Sequence, residues 1–86
     1  MNNSFQIDVI TPTENINIGT SEYLRAPNLD GLFGVQARHV SSIISIGKGD
    51  IKISQNGSET FYTTSGGYAD IQPEGVILIL ETFERK

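Results

Sequence analysis

The feature that most constrains the fold is an alternation of apolar and polar residues that recurs along the chain. Phe5, Ile7 and Val9 fall on one side of an extended segment, while Gln6 and Asp8 fall on the other. This period of two is typical of a half-buried β-strand. Segments of the same kind, or short apolar runs, occur at residues 15–18, 23–26, 43–46, 51–54, 59–63, 68–71 and 76–80.

The connections between these segments carry turn residues. Asn56 and Gly57 both tolerate positive φ, so they predict a tight hairpin between two strands. Residues 28–34 are predicted to form a loop with large apolar side chains, and residues 76–80 a core strand that is apolar on both faces. No segment offers three turns of helical periodicity with caps. Because turns recur about every 8–12 residues, the pattern predicts an all-β sandwich or barrel.

Composition excludes several classes of partner. The 86 residues make one domain, which we expect to span residues 1–86. The six basic residues are scattered and the net charge is −4, whereas nucleic-acid binding needs a concentrated positive surface. The first residues lack the basic and apolar regions of a signal peptide. The apolar run at residues 76–80 is far shorter than the roughly 20 residues of a membrane helix. We therefore expect neither a nucleic-acid partner nor direct membrane insertion.

Residues for catalysis or metal binding are scarce. His39 is the one histidine, and no serine stands in the Gly-x-Ser-x-Gly setting of a nucleophile. Cysteine is absent, which rules out disulfides and thiolate metal sites. The remaining candidate metal ligands are carboxylates that lie far apart in the sequence, namely Asp8, Asp30, Asp50 and Asp70. They do not have the spacing of a calcium loop. The sequence therefore predicts no catalytic and no metal-binding residues.

A phosphate-binding loop is also excluded. Gly31-Leu32-Phe33-Gly34 lacks the Gly-Lys-Ser/Thr ending of such a loop, and no predicted helix follows it. We therefore expect no bound cofactor. Leu29, Leu32 and Phe33 leave two interpretations open. They are either exposed as a protein interface or folded back to close the end of the sandwich.

Several motifs follow one another in a characteristic order along the chain. The chain opens on Phe5-x-Ile7-Asp8-Val9-Ile10-Thr11-Pro12. The central motif is Gly31-x-x-Gly34-Val35, followed by His39, an apolar strand and Gly49. The last part carries Ser65-Gly66-Gly67-Tyr68, Ile71-Gln72-Pro73 and the strand 76–80 before Glu81-Thr82. In this order the motifs resemble the epsilon subunit of bacterial F-type ATP synthase, and the resemblance covers residues 5–84, nearly the whole chain.

The sequence departs from the family pattern at prolines. Ala37 stands where the family has proline, Ser41 replaces the proline two residues after the histidine, and Lys48 replaces the proline of a Lys-Pro-Gly turn. Losing these prolines raises the conformational entropy of the unfolded chain. This lowers the free energy of unfolding by about 1 kcal/mol or less at each position. Many family members also continue into two C-terminal helices, a domain that we expect to be absent from this chain.

The resemblance implies an antiparallel β-sandwich of two sheets with about ten short strands. It also implies a role as a non-catalytic subunit of the central stalk, the rotor of the enzyme. Such a subunit couples proton translocation to ATP synthesis by binding the gamma subunit and the ring of c subunits. The implied location is peripheral, on the cytoplasmic face of the inner membrane, as part of F1.

The resemblance also assigns two interfaces. It places the c-ring contact on Asn28, Leu29, Asp30, Gly31, Leu32 and Phe33. It places part of the gamma contact on Thr11, His39, Val40 and Ile44. Asp30 pairs with a cation of the c-subunit loop or is a solvated turn residue. Ile44 is either an interface residue or part of the core. Glycines such as Gly31, Gly34 and Gly67 are expected to meet backbone requirements rather than to make contacts.

An alternative from another class is a free-standing sandwich that binds a small ligand such as a sugar. That function predicts exposed aromatic side chains arranged as a platform. The chain has no tryptophan, and its tyrosines are Tyr23, Tyr62 and Tyr68.

Overall fold

A computed structural model of the chain describes residues 3–37 and 39–86. The described residues form ten strands and no helix. The strands are β1 (Phe5–Ile10), β2 (Asn15–Ser21), β3 (Tyr23–Asn28), β4 (Gly31–Gln36), β5 (Ser42–Ile46), β6 (Gly49–Gln55), β7 (Ser58–Thr64), β8 (Gly67–Gln72), β9 (Gly75–Leu80) and β10 (Glu84–Arg85). The predicted all-β fold with about ten strands in two sheets is confirmed.

The strands form two five-stranded sheets. Sheet A has the order β2-β1-β9-β8-β5, and sheet B has the order β10-β7-β6-β3-β4. The pairing of β1 with β9 is parallel, and the other pairings among the described residues are antiparallel. The sandwich is therefore mostly antiparallel, with one parallel pair inside sheet A.

The core lies between the two sheets and follows the alternation of the sequence. Phe5, Ile7 and Val9 are buried, while Gln6 is exposed on the other side of β1. Leu24 and Ile53, a cross-strand pair of sheet B, are fully buried as well. Residues with a common inward direction thus form one continuous apolar layer, as expected for two sheets packed face to face.

The hairpin predicted at Asn56 and Gly57 is confirmed. The two residues have φ values of 51° and 81°, as a two-residue hairpin turn of type I′ requires. The backbone N–H of Asn56 also donates a hydrogen bond of 2.6 Å to the side chain of Glu22. The turn joins β6 to β7 in a regular antiparallel register.

The loop predicted at residues 28–34 is wrong, because most of it belongs to strand β4. Asn28 pairs with Gly31, so the turn between β3 and β4 contains only Leu29 and Asp30. Gly31 has a φ of 125°, which lets the chain reverse sharply at the start of β4. The glycines of this segment thus belong to a hairpin rather than to an irregular loop.

Gly34 meets a steric requirement within β4. A Cβ atom at this position would lie 2.4 Å from the hydroxyl oxygen of Tyr23 and 2.9 Å from its ring. The Tyr23 ring therefore lies directly over the glycine, and the Lys52 ammonium lies 5.4 Å from the centre of the same ring. Tyr23 thus covers Gly34, a glycine on an edge strand. The glycine has no side chain of its own to pack there.

Gly34→Ala should destabilise the fold by about 1–3 kcal/mol, because the new methyl group displaces the Tyr23 ring. The same change should cost clearly less in a Tyr23→Ser background, where the ring is absent. Thermal unfolding of the two single variants and the double variant measures this coupling. Equal costs of Gly34→Ala in both backgrounds would contradict the steric explanation.

Strand β9 differs from its prediction on one face. Its inward residues Val76, Leu78 and Leu80 are at most 2% exposed, as a core strand requires. Ile77 and Ile79 point away from the core and are 36% and 45% exposed. The strand is apolar on both faces, but the described residues cover only one of them.

Candidate functional site

The tip of the β3–β4 hairpin presents two exposed apolar side chains. Leu29 is 92% exposed and Leu32 is 63% exposed, whereas a leucine in a domain of this kind is more often buried. The hairpin register places both residues at one end of the sandwich. The tip therefore offers apolar surface to a protein partner at that end.

Phe33 behaves differently from its neighbours in the hairpin. It is only partly exposed, and it packs against the core cluster. Its cross-strand partner is Ala26, which is fully buried. Side chains alternate in direction along β4, so the residues predicted to contact the c-ring do not all face the same way. Leu32 is directed outward and Phe33 is directed inward.

Asp30 lies at the exposed turn between Leu29 and Gly31. Its backbone N–H donates a hydrogen bond of 2.9 Å to the side-chain oxygen of Asn28, which fixes the turn. Its carboxylate makes no ion pair with any residue in the described ranges. Asp30 is therefore a turn residue, and its carboxylate is accessible to a cation of a partner.

Two of the predicted gamma-contact residues lie at opposite ends of β1. Thr11 follows the last residue of the strand, and its hydroxyl accepts a hydrogen bond of 3.1 Å from the backbone N–H of Glu14. The His39 ring packs edge-on against Phe5, the first residue of the strand, with 5.2 Å between ring centres. The six residue steps from Phe5 to Thr11 separate the two sites by about 20 Å.

The His39 ring also bridges two backbone segments. Nδ1 faces the carbonyl oxygen of Gln36, and Nε2 faces that of Gln72. The ring thus connects the end of β4 to the end of β8, which is a structural role.

Val40 and Ile44 differ in exposure. Val40 is 80% exposed in the connection between β4 and β5, so its side chain is free to meet a partner. Ile44 is half-buried and packs against the core cluster. The exposed residue of that strand is its neighbour Ile43, at 73%.

Sequence reasoning missed an apolar surface on the outer side of sheet A. Ile79 pairs with Ile10 on one side and with Tyr68 on the other, and Ile77 lies two residues before it on β9. These residues and Ile43 are between 36% and 73% exposed. Residues 76–80 are apolar on both faces, which indicates an apolar outer side of this one strand. The other residues of the surface lie on neighbouring strands, and the sequence alone does not show which strands these are.

Other features of the described residues do not point to chemistry. No group of three or more metal-ligating side chains comes together within residues 3–37 and 39–86. The exposed aromatic residues Tyr68 and Phe61 lie on the outer faces of different sheets, so they do not form a platform for a sugar. No helix of sufficient length and hydropathy to cross a membrane is found in the described part of the chain.

Comparison with known families gives a match over almost the whole chain. Residues 4–86 match the family model described as "ATP synthase, Delta/Epsilon chain, beta-sandwich domain". An ATP synthase epsilon chain of Alkalilimnicola ehrlichii is 28% identical over 95% of this chain and 59% of its own length. An ATP synthase epsilon chain of Thioalkalivibrio sulfidiphilus is 31% identical over 95% of this chain and 60% of its own length. The chain thus spans about three-fifths of the length of these relatives.

Solved structures show the same fold. A chain in the Euglena gracilis mitochondrial ATP synthase, in a structure of OSCP, F1 and the c-ring, superposes with a TM-score of 0.89 at 16% identity. The match covers 95% of this chain and 53% of that chain. A chain in the Tetrahymena thermophila mitochondrial ATP synthase, in a structure of the central stalk and c-ring, gives a TM-score of 0.77 at 13% identity. It covers 92% of this chain and 64% of that chain.

Proposed function

Since the chain belongs to the ATP synthase delta/epsilon chain, beta-sandwich domain family, we propose that it is a non-catalytic rotor subunit of an F-type ATP synthase. In this role it binds the gamma subunit and the c-ring, turns with them, and couples proton translocation to ATP synthesis. The proposed location is peripheral, on the cytoplasmic face of the inner membrane, as part of F1.

The relatives and the structural neighbours support this role. The curated relatives are named ATP synthase epsilon chain. One structural neighbour comes from an assembly of F1 with the c-ring, and another from a central stalk with its c-ring. A two-sheet sandwich with a continuous apolar core suits torque transmission, because close-packed interiors have low compressibility.

The observation that carries the c-ring contact is the exposure of Leu29 and Leu32 at one end of the sandwich. Apolar side chains at a loop tip are most readily explained by a protein interface. The accessible carboxylate of Asp30 lies between them and can pair with a cation of the c-subunit loop. Asn28 and Gly31 form the base of the same hairpin. Phe33 supports the hairpin from inside the core rather than meeting the ring.

The proposed gamma contact uses Thr11, His39, Val40 and Ile44. Val40 contributes the most exposed apolar side chain of this set. Ile44 packs inward and therefore positions the exposed Ile43 beside it. His39 holds the ends of β4 and β8 together next to Val40.

Paired substitutions test the assignment of the two interfaces. Leu29→Asp should weaken capture of the purified c-ring by about tenfold or more, because a charge replaces an apolar side chain at the contact. Val40→Asp is the matched control, since Val40 is exposed to a similar degree but lies away from the hairpin tip. Affinity capture with the c-ring and with the gamma subunit measures both variants.

The two variants should have opposite effects on the two partners. Val40→Asp should still bind the c-ring but lose binding to gamma, while Leu29→Asp should still bind gamma. If the Leu29→Asp variant binds the c-ring as tightly as the unsubstituted chain, the hairpin tip does not contact the c-ring.

A further inference from the structure

The hairpin turn between β6 and β7 contains the one asparagine of the chain that is followed by glycine. The other asparagines precede asparagine, serine, isoleucine or leucine. Asn56 and Gly57 are both exposed, and no atom lies within 4 Å of the position that a Cβ at Gly57 would take. Neighbouring segments therefore do not crowd the backbone at this glycine.

The side-chain amide of Asn56 has no hydrogen-bond partner within residues 3–37 and 39–86. Two other asparagines are held in place. The amide of Asn17 donates a hydrogen bond of 2.7 Å to Asp8, and the side-chain oxygen of Asn28 accepts one of 2.9 Å from the backbone N–H of Asp30. Rotation of the Asn56 amide, in contrast, breaks no side-chain hydrogen bond in this part of the chain.

An asparagine followed by glycine can react with its own backbone, because glycine has no side chain to hinder the attack. The backbone nitrogen of Gly57 gives its proton to water or hydroxide and attacks Cγ of Asn56. A C–N bond forms, ammonia leaves, and the product is a five-membered succinimide ring. Water then opens the ring. Cleavage of the C–N bond at Cγ gives aspartate, and cleavage at the backbone carbonyl carbon gives isoaspartate.

The hairpin opposes closure of this ring. Closure requires rotation about the backbone and side-chain bonds of Asn56, so that Cγ reaches the nitrogen of Gly57. The turn fixes this backbone with a φ of 51°, and the N–H of Asn56 donates a hydrogen bond of 2.6 Å to the Glu22 carboxylate. Glu22 is itself held, since its N–H donates a hydrogen bond of 2.9 Å to the carbonyl oxygen of Ser54. The turn must therefore open before the ring forms.

We propose that Asn56 is a modification site, at which the chain deamidates through a succinimide formed with Gly57, and that Glu22 slows this reaction by holding the turn closed. The net change is the loss of ammonia and the gain of water. The reaction needs only the chain and water, so it goes beyond the proposed function and does not depend on the gamma subunit or the c-ring.

The site lies where the two sheets are joined. The side chain of Gln55, the residue before Asn56, donates hydrogen bonds of 3.0 and 3.1 Å to the carbonyl oxygens of Ile18 and Thr20 in β2 of sheet A. Aspartate at position 56 places a second negative charge near Glu22, and like charges repel. Isoaspartate adds a methylene group to the main chain, which a two-residue turn does not accommodate. Deamidation therefore loosens this corner of the sandwich.

Peptide mass spectrometry of the full chain after incubation at mildly alkaline pH tests the site. Asn56 should lose its amide faster than Asn17 and Asn28, and both aspartate and isoaspartate should form. Asn56→Gly is the matched control, since glycine also adopts the positive φ of the turn but carries no amide. This variant should release less ammonia than the unsubstituted chain. Retention of the Asn56 amide while Asn17 or Asn28 reacts, or in a chain that does not react at all, would overturn the assignment.

Glu22→Ala should raise the rate of deamidation at Asn56 by about threefold or more, because the turn opens more often without this hydrogen bond. Glu74→Ala is the control, since Glu74 is an exposed acid that does not contact the turn. Its rate should be unchanged. If circular dichroism shows that Glu22→Ala is unfolded, the unsubstituted chain in buffer and in urea gives the comparison, and the rate should be higher in urea. Equal rates in either comparison would contradict the protection by the turn.

The effect on the fold is measured on the isoaspartate product, separated by ion exchange. It should melt about 4 °C or more below the unmodified chain, because the turn that holds β6, β7 and β2 together is altered. A product that melts at the same temperature as the unmodified chain would show that the turn does not join the two sheets.

Discussion

Gly67→Ala should strongly destabilise the isolated chain. A Cβ atom at this position would lie 2.0 Å from the carbonyl oxygen of Ile79 and 2.9 Å from the Cα of Leu80. Both are backbone atoms of β9, the central strand of sheet A, so no side chain can rotate out of the way. We expect a loss of about 3–5 kcal/mol from overpacking and backbone strain combined. A domain of this size has a total stability of roughly 4–13 kcal/mol.

Gly31→Ala is the matched control for this prediction. Gly67 and Gly31 both have a positive φ, of 155° and 125°, but no atom lies within 4 Å of the position of the Gly31 Cβ. Its substitution should therefore cost only about 1–2 kcal/mol of backbone strain. Urea unfolding followed by circular dichroism measures both variants. Equal losses in the two variants would show that φ, and not the close approach of β9, sets the requirement at Gly67.

Phe33→Asp should unfold or strongly destabilise the chain, whereas Leu32→Asp should leave the fold intact. Phe33 packs against the core opposite the buried Ala26, so a carboxylate there loses apolar contacts and is partly removed from water. We expect a loss of about 2–4 kcal/mol, less than for a fully buried phenylalanine because Phe33 is only partly buried. Leu32 is 63% exposed, and a polar substitution there should change stability by about 0.5 kcal/mol or less.

Thermal unfolding of the two variants under identical conditions provides the comparison. If Phe33→Asp melts at the temperature of the unsubstituted chain, Phe33 does not support the hairpin from inside. If Leu32→Asp is the less stable variant, the direction of the side chains along β4 is the reverse of that described.

Local patterns predicted the regular parts of the fold. The alternation of Phe5, Ile7 and Val9 identified both the strand and its buried face, because side chains on a strand alternate between two environments. Asn56 and Gly57 identified a hairpin, since few other pairs adopt positive φ at both turn positions. The sequence does not predict strand β4, because Gly31 and Gly34 are typical of loops. Gly34 is explained only by Tyr23, which is eleven residues away in the sequence and adjacent in space.

The candidate sites depended more on tertiary structure. The sequence left the exposure of Leu29 and Leu32 open, because residues next to turns are usually at the surface whereas apolar side chains are often buried, and the structure shows both to be exposed. The inward direction of Phe33 required knowledge that β4 is a strand. The apolar surface on the outer side of sheet A could not be predicted from the sequence, because it depends on the pairing of β1 with β9 across almost the whole chain. Long-range strand pairing leaves no local signal.

The central claim is that the chain couples proton movement to ATP chemistry without catalysing a reaction itself. Membrane vesicles that carry the ATP synthase of the same organism, depleted of this subunit, test the claim most directly. The measurement is ATP-driven acidification of the vesicles before and after addition of the purified chain. The account predicts that acidification is weak in depleted vesicles and returns in proportion to the chain added, up to one copy per enzyme. Acidification that is unaffected by depletion, or that does not return when the folded chain is added, would contradict it.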